Sequence, residues 1–82
     1  MKISPLDPEI EDYLEKRRLR GKFDKQKKIF EENPFHPSLN TELMEPKMMK
    51  IWSFRVDKKY RALFIFRNRE TVEVLEVNNH YK

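Results

Sequence analysis

The sequence predicts an α+β fold in which an N-terminal helical hairpin packs on one face of a twisted antiparallel sheet. Three observations predict it. Residues 51–56 and 60–67 are two arms rich in aromatic and branched side chains, joined by the polar Asp57-Lys58-Lys59, which is the pattern of a β-hairpin. Thr71-Val72-Glu73-Val74-Leu75-Glu76-Val77-Asn78 supplies a third strand after a turn at Asn68-Arg69. Upstream, apolar residues recur at helical spacing on either side of the chain's only glycine, Gly21. At 82 residues, the chain is read as one domain, 1–82, served by a single core.

Taken in order, Ile3 begins a short edge strand that Pro5 ends. Asp7-Pro8-Glu9 supplies an N-cap, a proline at the first helical position and an acidic first turn. The first helix is expected from Pro8 to about Arg18, with Ile10, Tyr13, Leu14 and Arg17 along one stripe. After a turn at Leu19–Gly21, a second helix directs Phe23, Gln26, Lys27 and Phe30 inward. Pro34 stops it, because the residue before a proline is pushed out of helical geometry. From Pro34 to Pro46 the chain is a loop with anchors at Phe35, Leu39 and Leu43. Met44, Met48 and Met49 follow and either fill gaps under the loop or form an adaptable surface.

Alternation decides what each sheet face carries. If Asp57-Lys58-Lys59 is a three-residue loop, Val56 pairs with Tyr60. Trp52, Phe54, Val56, Tyr60, Ala62, Phe64 and Phe66 then share the face toward the helices, and Arg55 lies opposite Arg61 on the reverse face. A two-residue turn at Asn68-Arg69 pairs Phe66 with Thr71 and Arg61 with Glu76. It sends Leu75 and Val77 inward, and puts Val72, Val74, Glu76, Asn78 and His80 beside the arginines. The reverse face is thus half apolar (Leu63, Ile65, Val72, Val74) and half polar (Arg55, Arg61, Glu76, Asn78, His80). The apolar half is covered either by the chain's own N-terminal segment or loop, or by a protein partner.

Composition narrows the function classes. There is no cysteine, so disulfides and thiolate metal sites are excluded and a reducing compartment is permitted. The longest unbroken apolar run is Ala62–Phe66, and the N-terminus lacks an apolar signal region, so a cytoplasmic protein without a membrane partner is expected. The net charge is +4, and between Lys16 and Lys28 eight Lys or Arg residues face one acid, Asp24. A block of that density suits nucleic acid or an acidic partner, or is simply a solvated helix face.

Two arginines held side by side repel unless an anion joins them. RNA cleavage by its own 2′-hydroxyl requires a base for that hydroxyl, cations for the pentavalent phosphorus and an acid for the departing 5′-oxygen. Arg55 and Arg61 carry the cationic role, their planar forks matching phosphate oxygens. His80 serves as acid or base near neutral pH, Glu42 on the loop as the complementary base, and Tyr81 as a stacking or phosphate-orienting group. Arg61 alternatively pairs with Glu76. His36, in Pro34-Phe35-His36-Pro37, reads as a loop residue. No metal and no cofactor is expected.

The ordered set Asn33-Pro34-Phe35-His36-Pro37-Ser38-Leu39-Asn40-Thr41, Trp52-Ser53-Phe54-Arg55-Val56, Lys59-Tyr60-Arg61-Ala62-Leu63-Phe64 and Asn79-His80-Tyr81-Lys82 resembles the RelE/ParE superfamily of type II toxin–antitoxin toxins. The resemblance covers essentially the whole chain. It implies a small basic toxin of a bacterium or archaeon, neutralised by a cognate antitoxin that wraps it. The RelE-like branch cleaves mRNA in the ribosome without metal and so inhibits translation, whereas the ParE-like branch poisons DNA gyrase. The His80-Tyr81 ending is similar to that of YoeB-like ribonucleases, whose site maps onto His80, Arg61 and Glu42. Arg55 stands where related toxins carry a second phosphate-binding arginine, and Tyr81, Lys82, Lys47 and Lys50 complete the RNA-binding set. Leu63, Ile65, Val72 and Val74 are the expected antitoxin surface. One departure is visible: relatives carry lysines next to the loop glutamate, whereas here Met44 follows closely and Lys47 and Lys50 come later.

Overall fold

In the computed structural model, which describes residues 1–79, the chain runs β1 (Lys2–Ile3), α1 (Pro8–Lys16), α2 (Arg20–Glu32), β2 (Glu42–Leu43), β3 (Trp52–Arg55), β4 (Arg61–Phe66) and β5 (Thr71–Asn78). Asp7 caps α1 by accepting the Glu9 N–H at 2.9 Å, with Pro8 in the first turn. α1 stops at Lys16 rather than near Arg18. Arg18 itself adopts the left-handed conformation (φ 56°) and starts the reversal. Gly21, expected at that turn, instead lies in the first turn of α2. The reversal therefore uses an arginine where glycine would carry no steric cost. Among the described residues, no helix is long and apolar enough to cross a membrane.

The sheet has five strands in the order β1-β5-β4-β3-β2. The expected antiparallel hairpins form its centre, but the sheet is mixed, because β1 lies parallel to β5 with Ile3 opposite Val72. β3 and β4 pair as the alternation predicts: Arg55 opposes Arg61, and the Val56 N–H donates to the Tyr60 carbonyl at 2.9 Å. The β4–β5 register does not follow the prediction. The turn holds three residues, 68–70, closed by the Arg67 N–H on the Thr71 carbonyl at 2.9 Å. Phe66 therefore opposes Val72, not Thr71. A one-residue slip sends every following side chain to the other face, so Val72 and Val74 are buried under the helices (0% and 4% exposed). A bulge at Leu75 then restores the expected parity. Val77 points inward, Leu75 is extruded and 40% exposed, and Arg61 opposes Asn78 rather than Glu76.

The core lies between the helices and this face. Ile10, Leu14, Phe23 and Phe30 meet Phe54, Phe64, Val72, Val74 and Val77. Phe30 is its centre, with its ring 5.1 Å from both Phe54 and Phe64. Gln26 is buried as expected, and its amide donates to the carbonyls of Ser38 (3.2 Å) and Arg55 (2.8 Å), tying α2 to the loop and to the end of β3. Lys27 is only half-buried. Met48 and Met49 fill no gap, being 84% and 59% exposed, and Phe66 lies at the rim of the core, not inside it.

Asp57 organises the β3–β4 connection. One carboxylate oxygen accepts the N–H groups of Lys59 and Tyr60, each at 2.8 Å, and the other meets Lys22 Nζ at 3.2 Å. Burial acts to raise its pKa, but those donors and Lys22 outweigh it and hold the carboxyl below its usual value of 3.8. A depressed folded pKa means the stabilisation is present above that usual value and is lost as pH falls through the lower folded one. Asp57→Asn should therefore flatten the acid side of the stability curve, read as urea midpoints from about pH 6 to about pH 3. An unchanged acid loss in the variant would show that the turn carboxylate contributes nothing to it.

Candidate functional site

The reverse face of the sheet collects three of the candidate catalytic and phosphate-binding residues. β2 pairs with β3 so that Glu42 opposes Ser53, and Ser53 in turn opposes Leu63. Directly opposed residues point to the same side, so Glu42, Ser53, Arg55, Arg61 and Leu63 share the face turned away from the helices.

Arg61 forms the floor of the site, at 4% exposure. Its Nε donates to Ser53 Oγ at 2.9 Å, and one terminal nitrogen donates to the carbonyls of Asn40 (2.6 Å) and Ser53 (3.2 Å). These acceptors are neutral and fix the guanidinium plane without cancelling its charge. Burial lowers the Arg61 pKa first, the Glu42 carboxylate works to raise it, and the neighbouring Arg55 lowers it again. An arginine nevertheless stays protonated at any working pH. The three charges thus sense one another across a partly desolvated surface.

The loop builds the wall beside Arg61 by local chemistry. His36 caps the 3₁₀ turn Pro37–Leu39, its Nδ1 accepting the Ser38 N–H at 3.1 Å, so it is the loop residue that the sequence suggested. Asn40 ends that turn in the left-handed conformation (φ 46°), which asparagine tolerates well, and its carbonyl accepts from Arg61. Leu39 is buried beneath it. Ser53 is the hub: it accepts from Arg61 and donates to Met44 Sδ at 3.2 Å. Met44 therefore occupies the edge of the site.

Other candidates fall elsewhere. Lys47 and Lys50 line another groove, of about 500 Å³, with Leu43, Met49, Trp52, Ile65 and Phe66. Glu76, expected opposite Arg61, instead accepts from Asn78 Nδ2 at 2.5 Å. Of the expected antitoxin surface, Leu63 and Ile65 remain half-buried on this face, whereas Val72 and Val74 belong to the core. His80, Tyr81 and Lys82 lie outside the described residues. Among the described residues, no group of three His, Cys, Asp or Glu side chains is placed to hold a metal ion.

Sequence reasoning missed Ser53 and Asn40, the two residues that set the Arg61 plane. Ser53 carried a signal: a small hydroxyl between Trp52 and Phe54, on the same face as two arginines, is placed to accept a hydrogen bond from one of them. The Asn40 carbonyl carried none, because backbone acceptors have no sequence signature beyond the turn that aims them.

The sequence matches no family model and no curated protein. Solved structures do match over nearly the full chain. A YoeB/ParE toxin from Agrobacterium tumefaciens superposes with a TM-score of 0.72 at 19% identity, covering 99% of this chain and 100% of that one. YoeB in a heterotetrameric YoeB–YefM toxin–antitoxin complex from Staphylococcus aureus gives 0.70 at 16%, covering 98% and 94%. A copper-bound mutant toxin from Helicobacter pylori gives 0.71 at 12%, with the same coverage. The chain therefore has the fold of these toxins, and the α+β architecture predicted from the sequence is the one they share.

Proposed function

We propose that this protein is the toxin of a type II toxin–antitoxin pair, acting in the cytoplasm of a bacterium or archaeon as a metal-independent, ribosome-dependent mRNA endonuclease. One observation carries the reading: Glu42, Arg55 and Arg61 converge on the sheet face that the helices leave open, on the fold of YoeB-like toxins. Glu42 takes the proton of the 2′-hydroxyl, whose oxygen attacks the adjacent phosphorus. Arg55, exposed, meets the phosphate oxygens, and Arg61 stabilises the added charge from below. The 5′-oxygen leaves with a proton supplied by His80, and a 2′,3′-cyclic phosphate remains; Tyr81 and Lys82 steady the substrate. The partner is a cognate antitoxin, met through Leu63, Ile65 and the adjoining apolar groove of Leu43, Met49, Trp52 and Phe66.

Glu42→Gln tests the base directly. It should cut mRNA about 10²- to 10⁴-fold more slowly in a ribosome-programmed assay, with the thermal unfolding midpoint unchanged. Wild-type cutting by this variant would remove Glu42 from the reaction.

A further inference from the structure

We infer that the groove between α2 and the β3–β4 turn holds the phosphates of single-stranded RNA where the strand leaves the Arg55–Arg61 site. The inference deepens the nuclease reading above and rests on it for the direction of the strand. The groove, about 310 Å³, is lined by Lys22, Lys25, Arg55, Asp57 and Lys58 together with Gln26. Four cations thus share it with one carboxylate, and that carboxylate is already held by Lys22 and two backbone N–H groups. Lys25, Arg55 and Lys58 are exposed and have no ionic partner among the described residues.

Part of the basic block is balanced locally. Lys16 pairs with Asp12 at 3.0 Å, Arg17 lies over the Tyr13 ring at 3.8 Å, and Arg20 meets Glu11 and Asp24. Lys27 and Lys28 share a groove with Arg20, Asp24 and Glu31. That groove sets three cations beside two carboxylates, against four beside one in the groove that continues into Arg55, and Arg55 belongs to both the latter groove and the site. Lysines three residues apart on a helix, with one more on a facing turn, form a line of point charges. Such a line tracks a phosphate backbone without reading bases.

The test is binding of a short, labelled 2′-O-methyl single-stranded RNA, which cannot undergo cleavage, followed by fluorescence anisotropy over a salt series. Lys25→Glu with Lys58→Glu should weaken binding at least about tenfold and reduce the log–log salt slope by about 1.4, the share of two phosphate contacts on a single strand. Lys27→Glu with Lys28→Glu makes the same change in net charge from the neighbouring, more acidic groove and should cost less than about threefold. Equal losses from the two pairs would overturn the groove, because affinity would then follow net charge alone. Equally tight binding of duplex RNA or duplex DNA with the same sensitivity would also overturn it. A groove that fails this test beside intact mRNA cutting refutes the groove alone. A groove that passes beside absent cutting refutes the nuclease reading and retains the RNA site.

Discussion

Arg61→Ala is expected to reduce mRNA cutting by about 10²- to 10³-fold, about 2.7–4 kcal/mol of transition-state stabilisation. The guanidinium is held in one plane by Ser53 Oγ and by the carbonyls of Asn40 and Ser53 before any substrate arrives. A charge oriented in advance, in a water-poor floor beneath Arg55, spends little free energy on reorganising during the reaction. Arg61→Lys should recover only a small part of the loss, because an ammonium cannot satisfy the hydroxyl and carbonyls while also facing a phosphate. The alanine variant also leaves the buried Ser53 hydroxyl without its donor, which costs about 1–3 kcal/mol of stability. Cutting must therefore be normalised to the folded fraction, measured by circular dichroism. Full normalised activity in Arg61→Ala would place the site elsewhere.

Phe30→Ala is expected to destabilise the fold by about 3–5 kcal/mol. Phe30 has no exposed surface and joins α2 to both central strands through Phe54 and Phe64. A chain of this length holds roughly 4–12 kcal/mol in all, so the variant should sit close to its unfolding midpoint at ambient temperature. Phe35→Ala supplies the contrast. Phe35 is 57% exposed and touches Trp52 edge-on at 5.8 Å, so its removal should cost no more than about 1.5 kcal/mol. Comparable losses at the two positions, measured by urea unfolding, would show that the core is not centred on Phe30.

Most of the sheet was legible because alternation is a local property. The Asp57 turn has a polar composition that suits three residues, and from that turn length alone Arg55 and Arg61 come to oppose each other. The β4–β5 turn was not legible in the same way. Arg67-Asn68-Arg69-Glu70 contains no glycine, and nothing in it separates a two-residue from a three-residue connection. That one-residue difference moved Val72 and Val74 from the open face to the core. The bulge at Leu75 then repaired the parity, so Val77 and Asn78 were placed correctly. The parallel strand at Lys2–Ile3 was readable as an edge strand but not in its direction, which depends on where the helical hairpin returns the chain. In the site, Glu42 was named from the sequence as a loop residue, but its place on a two-residue strand, β2, was not legible, because so short a strand does not announce itself in the sequence.

The most direct test of the open-face site is primer extension on cellular mRNA after induction of the wild-type chain and of Arg61→Ala, with gyrase supercoiling assayed in parallel. Discrete cuts within translated mRNA, absent from the variant and with supercoiling unaffected, are the predicted result. Intact mRNA together with wild-type loss of supercoiling would contradict it, and would assign the chain to gyrase poisoning instead.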